Sequence, residues 1–392
     1  MKLLFLIEDG MGGWPLDELN NKTTLEAART PNMDKLARKS IMGRCKTVPD
    51  GMAPGSDIAN MSLLGFDPLK YHTGRGPIEA AAQGLDLDKD DLVFRMNLVN
   101  LTSLDENGTM LDYSSGHISS EVSIPIVEKL QRELGSELVR FYPGIQYRHL
   151  LVIKGGAKLA ENDIEIRPPH DLTNKSIAED VAAFKASKIL EPIIFKAHEI
   201  LKNSGTKAVS IWPWGQGKPL NLPNFKDKFK RTGAVISAVD LVKGLGRASG
   251  LEVIEIEGAT GLVDTNYEGK MKAAVDFLSR GDFVFLHLEG PDESGHMGSV
   301  KDKIASIERF DSLVLGPLYE KFGSDCAFLI ACDHFTPIKI RTHDAEPVPF
   351  MLNYPGSEDS GLDSFSEKNS ASTGLNINKG DELMEWVLKR IS

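Results

Sequence analysis

Asp292 and His296 stand four residues apart in EGPDESGH at 289–296. One helical turn sets both side chains on one face, and an aspartate beside an imidazole suits zinc or manganese. Taken alone, such a pair is more often an ordinary surface feature of a loop. Asp333-His334 follows the apolar run CAFLIAC at 326–332. It reads either as half of a metal site or as a helix-capping aspartate beside a solvated histidine. His343 in RTHDAEP, and Asp9 after the first apolar run, add two more candidate ligands. Two metals held by such a set would clamp the attacking and leaving oxygens of an in-line phosphoryl displacement.

That chemistry calls for a nucleophile, and APGSD at 53–57 offers Ser56. Pro-Gly makes a tight turn, and the following IANMSLLG reads as a helix. Ser56 then sits at or beside a helix N-terminus, where free N–H groups and the dipole favour phosphate. A plain N-cap serine fits the same residues. A serine can fill both roles, because a metal ion beside its hydroxyl lowers its pKa.

The elements that must position these residues are short apolar runs. Leu3–Ile7 predicts a buried strand, as do 207–212, 234–239, 251–256, 282–288 and 326–332. Helical spacing at 32–40, 240–249, 267–280 and 299–321 separates most of them. Strands alternating with helices argue a mostly parallel sheet. Sites in such sheets lie at the carboxyl ends of strands, where Asp9, Asp292, His296, Asp333 and His334 fall. The stretch 86–203 differs. It predicts a helix at 121–134, strands at 137–142 and 147–153, and a helix at 176–202. It is expected to be a second domain inserted into a core built from 1–85 and 204–392.

Composition narrows the function class. The chain has 392 residues, 41% hydrophobic and 26% charged, with a net charge of −11. A nucleic-acid protein would carry a basic face, so none is expected as a partner. An anionic substrate needs local positive charge from arginine or metal, against the global field. Three cysteines, Cys45, Cys326 and Cys332, with no zinc spacing fit a reducing compartment. Glu8 and Asp9 cut the first apolar run below the roughly 7–15 residues of a signal-peptide core. No stretch reaches the roughly 18–20 apolar residues of a membrane helix. The expected location is cytoplasmic, without membrane partners. No coiled-coil pattern speaks to the oligomeric state. GKPLNLP at 217–223 lacks the hydroxyl and helix of a phosphate-binding P-loop.

Longer motifs carry a family resemblance over nearly the whole chain. They are EDGMGGWP (8–15), TTLEAARTPNMDKLA (23–37), APGSDIANMSLLGFDP (53–68), YHTGRGPIEAAAQG (71–84), EGATGLVDTNYEGK (257–270), EGPDESGHMG (289–298) and CDHFTPIKIRTHDAEPVPF (332–350). The chain resembles the archaeal type of 2,3-bisphosphoglycerate-independent phosphoglycerate mutase, in the alkaline phosphatase superfamily. The resemblance implies an α/β fold, an α/β/α sandwich of alkaline phosphatase type with an inserted, smaller α+β cap domain whose closure excludes water. It implies two divalent metal ions (Mn, Zn, Mg or Co) and no 2,3-bisphosphoglycerate. One metal is assigned to Asp9, Ser56, Asp333 and His334, the other to Asp292, His296 and His343. Ser56 would carry a phosphoserine between 3-phosphoglycerate and 2-phosphoglycerate.

A small phosphorylated metabolite needs cations, and arginine suits bidentate contacts. Candidates are Arg75, Arg95, Arg148 with His149, Lys243 and Arg247; each reads equally as a salt-bridge residue. His117 and His170 are candidate proton donors or phosphate contacts. Two departures from the family pattern leave the acceptor open. IWPWGQG at 211–217 has Trp214, and SSGHIS has His117, where the archaeal mutases tend to carry arginine. A homoserine kinase-like phosphotransferase or a phosphatase would use the same serine and metals. A non-catalytic metal protein of the same fold is the remaining reading.

Overall fold

The computed structural model describes residues 1–357 and 360–392. Its strands are β1 (Lys2–Glu8), β2 (Ile41–Cys45), β3 (Leu92–Leu101), β4 (Met110–Asp112), β5 (Val139–Tyr142), β6 (Arg148–Ile153) and β7 (Ser210–Gly217). Then follow β8 (Gly233–Ile236), β9 (Glu252–Ile254), β10 (Phe283–Leu288), β11 (Cys326–Ala331), β12 (Val348–Asn353) and β13 (Asn376–Ile377). The chain divides into two compact units, Met1–His72 with Leu222–Ser392, and Thr73–Asn221.

The first unit is built on an eight-stranded sheet in the order β13-β2-β12-β11-β1-β10-β8-β9. Within it β12 runs antiparallel to β11 and β2, and the other pairings are parallel. β10 and β11 are buried along their whole length, as strands covered on both faces must be, and so read as unbroken apolar runs. The register sets the chemistry. Ile7 pairs with His287 on one side and Ala331 on the other, and Glu8 pairs with Leu288. The three central strands therefore end level. Asp9, Glu289 and Cys332-Asp333 leave the sheet side by side.

The second unit has β3 at its centre. β6 and β7 pair antiparallel with it on either side, β5 pairs with β6, and β4 meets the end of β3. Its core holds Phe184 against Trp212, ring centroids 5.0 Å apart. The expected junctions at 85/86 and 203/204 thus shift to 72/73 and 221/222. Helix Arg75–Ala82 lies so close to β3 that a Cβ on Gly76 would stand 2.6 Å from the Arg95 amide nitrogen. That contact ties the helix to the second unit.

Two further expectations change. The run at 207–212 is expected in the parallel series, but β7 pairs antiparallel with β3 instead. A buried apolar run does not state its partner. The helix expected over 176–202 is two helices, Ala178–Ala186 and Leu190–Leu201. Ser187 divides them, its Oγ accepting from the amides of Ile189 (3.2 Å) and Leu190 (2.9 Å). Serine competes for backbone bonds in this way and favours helix ends.

Phe5 and Phe285 are fully buried neighbours across β1 and β10, edge to face at 5.2 Å. Phe285→Ala is expected to cost about 3–5 kcal/mol. A lowered urea midpoint in metal-stripped protein checks it; an unchanged midpoint would contradict this view of the core.

Candidate dinuclear metal centre

Helix Gly290–Met297 begins immediately after β10, with Pro291 in its first turn, and ends at Gly298 with φ +70°. It carries Asp292 and His296 on one face. Asp333 and His334 follow β11, and His343 comes from the segment between β11 and β12. Two sets of ligand atoms converge: Asp292 with His296 and His343, and Asp9 with Asp333 and His334, each within 4.8 Å. His296 Nε2 lies 3.3 Å from Asp292 Oδ2, and His343 Nε2 lies 3.4 Å from Asp292 Oδ1. His334 Nε2 lies 3.5 Å from Asp9 Oδ1 and 3.6 Å from Asp333 Oδ2. The rings of His334 and His343 are 4.0 Å apart, so the sets are adjacent.

The residues fit cations. Asp9 is fully buried, and its Oδ1 has no hydrogen-bond partner. Burial, then the charges of Asp333, Asp292 and Glu289, push its pKa well up. Like charges gathered without water need a counter-ion or a proton. In the other set, His296 Nε2 and His343 Nε2 face each other at 3.0 Å. Their Nδ1 atoms lie 3.0 Å from Arg341 O and 3.3 Å from Pro54 O, carbonyls that only accept, so both Nδ1 carry hydrogen. Both Nε2 atoms also lie against the Asp292 carboxylate, at 3.3 and 3.4 Å. The hydrogen bond to Asp292 accordingly raises the His296 pKa to about 9. A divalent ion bound by these atoms would displace a proton from His296, coupling its uptake to proton release.

Asp333 is held rigidly. Its Oδ1 accepts from the amides of Gly10 (3.1 Å) and His334 (2.8 Å), and its Oδ2 accepts from Asn60 Nδ2 at 2.8 Å. Thr47 Oγ1 donates to its carbonyl at 2.5 Å. His287, fully buried in β10, lies 3.1 Å from Asp9 Oδ2. Burial lowers the His287 pKa to about 4, so the ring is neutral. Such outer contacts set the orientation of metal ligands.

Ser56 opens helix Ser56–Leu63 behind Gly55, which is the N-cap. Its hydroxyl forms no cap bond. Oγ lies 3.2 Å from His334 Nε2 and 3.5 Å from Asp9 Oδ2. Asn60, one turn on, donates to Ser56 O at 2.9 Å and joins the serine to Asp333.

The other expected residues fall in three places. In the second unit, Arg75 and Arg95 face the Trp214 indole, 5.8 and 4.9 Å from its centroid. Arg95 Nη1 donates to Glu79 at 2.7 Å, and Arg75 Nε lies 3.8 Å from the same oxygen. Burial lowers the Arg95 pKa to about 10, with Arg75 and Arg148 adding to the fall. His170 packs on Trp214 at 5.4 Å, and Tyr113 joins His170 to His117. His149 is instead fully buried on β6 and accepts from the Gly144 amide at 3.0 Å. In the first unit, Lys243 and Arg247 pair with Glu255 at 2.8 and 3.3 Å. The sequence reading missed Glu289, His287, Asn60 and Thr336. Asn60, at one-turn spacing from Ser56, and Glu289, directly after the apolar run at 282–288, carried a signal beforehand.

Residues 37–206 match the model of the family described as 2,3-bisphosphoglycerate-independent phosphoglycerate mutase. The protein of that name from Methanosarcina barkeri is 44% identical, over 99% of this chain and 100% of its own. A Pyrococcus horikoshii protein of solved structure superposes with a TM-score of 0.83 at 30% identity, covering 99% of this chain and 96% of its own. The cofactor-independent phosphoglycerate mutase of Thermoplasma acidophilum gives 0.68 at 26% identity, with 100% of both chains covered. With two candidate ligand sets at the strand ends, this chain belongs to the 2,3-bisphosphoglycerate-independent phosphoglycerate mutase family.

Proposed function

We propose that this chain interconverts 3-phosphoglycerate and 2-phosphoglycerate through a phosphoserine on Ser56, without 2,3-bisphosphoglycerate. The observation that carries the reading is Ser56 Oγ at a helix start, within 3.5 Å of both Asp9 and His334. The relatives' shared name supports glycerate as the acceptor. Asp9, Ser56, Asp333 and His334 would hold one divalent ion, and Asp292, His296 and His343 the other. Manganese, zinc, magnesium or cobalt suits these donors, and such ions offset charge on the transferring group and acidify the serine hydroxyl.

Ser56 Oγ loses its proton and attacks phosphorus. The bond from phosphorus to the 3-oxygen breaks, and that oxygen takes a proton. The retained glycerate turns and presents its 2-hydroxyl. That oxygen loses its proton and attacks the phosphoserine, and the bond from phosphorus to Oγ breaks. The N-terminus of helix Ser56–Leu63, with its dipole, would favour the charge that moves. Arg75, Arg95, Arg148, His117 and His170 are our candidates for holding substrate and passing protons. His149, Lys243 and Arg247 are weaker ones, being engaged with protein groups. Among the described residues no helix is long and apolar enough to cross a membrane. That fits a cytoplasmic enzyme acting on a small metabolite.

Phosphorus NMR of manganese-loaded protein with 3-phosphoglycerate alone tests the reading. A 2-phosphoglycerate signal with little free phosphate is expected; free phosphate alone would contradict it. Ser56→Ala is expected to lower turnover on the order of 10⁴-fold or more, with metal content near wild type by elemental analysis. Stripping metal with a chelator is expected to abolish turnover and lower the melting temperature, both restored by manganese. At 100 times its dissociation constant a ligand adds about 2.7 kcal/mol.

A further inference from the structure

Thr336 belongs to neither ligand set, yet it bonds to both. It is fully buried. Its Oγ1 donates to Asp292 Oδ1 and lies 3.3 Å from His334 Nδ1. The hydroxyl has one hydrogen, committed to the carboxylate, so its oxygen accepts from Nδ1–H. This fixes the His334 tautomer and leaves the Nε2 lone pair facing Ser56, Asp9 and Asp333. One hydroxyl therefore orients a ligand of each set.

The backbone of Thr336 is anchored from behind. Lys303 Nζ donates to Thr336 O at 2.8 Å and to Gly12 O at 3.1 Å. Lys303 is fully buried in helix Val300–Phe310. Its ammonium spans the segments after β1 and β11, which carry Asp9 and Asp333-His334. Gly295, between Asp292 and His296, approaches so closely that a Cβ there would stand 2.6 Å from Thr336 O. Thr336 cannot shift without moving ligands of both sets. A buried ammonium is costly to desolvate, and here its bonds go to carbonyls that shape the site.

We propose that Thr336, braced by Lys303, is a positioning residue shared by the two metal sites, so that the affinity of each depends on one hydroxyl. This rests on the metal centre of the proposed function. Outer contacts of this kind alter metal affinity about 10–100-fold when removed.

Titration of the full-length, metal-stripped protein with manganese, read by electron paramagnetic resonance of the free ion, tests it. Wild type is expected to bind two ions. Thr336→Val, which keeps the shape and loses the hydroxyl, is expected to weaken both about 10-fold or more. Thr336→Ser, which keeps the hydroxyl, is expected to restore both. Lys303→Met serves where Thr336→Val does not fold, and is expected to weaken both ions as well. A wild-type curve for Thr336→Val or Lys303→Met, or a loss confined to one ion, would overturn the proposal. Wild type binding no manganese would overturn the metal centre itself, which is a separate outcome.

Discussion

The carboxylates that leave the sheet beside one another repel. Asp9, Asp292 and Asp333 are buried within a few ångströms, at a place the strand register dictates. A low-dielectric interior makes that repulsion far stronger than it is in water. The fold must meet it with protons, ammonium groups or metal ions, and it provides for all three. Burial and neighbouring charge push the Asp9 pKa up, toward the protonated form. Lys303 and Lys270 are fully buried nearby, and burial lowers each to about 8. The histidines complete two sets whose geometry suits divalent ions.

Much of the remaining local structure holds these charges in place. Gly10, Asn60 and Thr47 fix Asp333 from three directions. Lys270 Nζ donates to His287 O, behind Asp9, at 3.1 Å. The strands that lead into the candidate ligands are among the most deeply buried in the first unit. A site that stores electrostatic strain is best built where packing is densest, because a dense core resists relaxation. Stability and function commonly oppose each other at active sites.

Most of the candidate ligands were legible in the sequence because they follow apolar runs, and parallel sheets place function at strand ends. Asp9, Asp292, Asp333 and His334 obey that rule. β3 escaped it. Arg95 and Asn97 are buried in the middle of that strand and break its apolar pattern, although Glu79 and Trp214 give them partners. β7 was legible as a strand but not as a member of the second sheet, since partner choice is a long-range property. Thr336 and Lys303 were invisible for a different reason. A threonine or lysine reads as surface unless its hydrogen bonds are known, and those bonds reach Asp292 from Thr336 and both Thr336 and Gly12 from Lys303, all far outside any local pattern.

In the proposed account, divalent ions offset the buried acids and activate Ser56. Anomalous diffraction from crystals grown with manganese tests it most directly. The account requires two peaks, one among Asp9, Ser56, Asp333 and His334, and one among Asp292, His296 and His343. No peak at either set, from protein that has been given the metal, would contradict it.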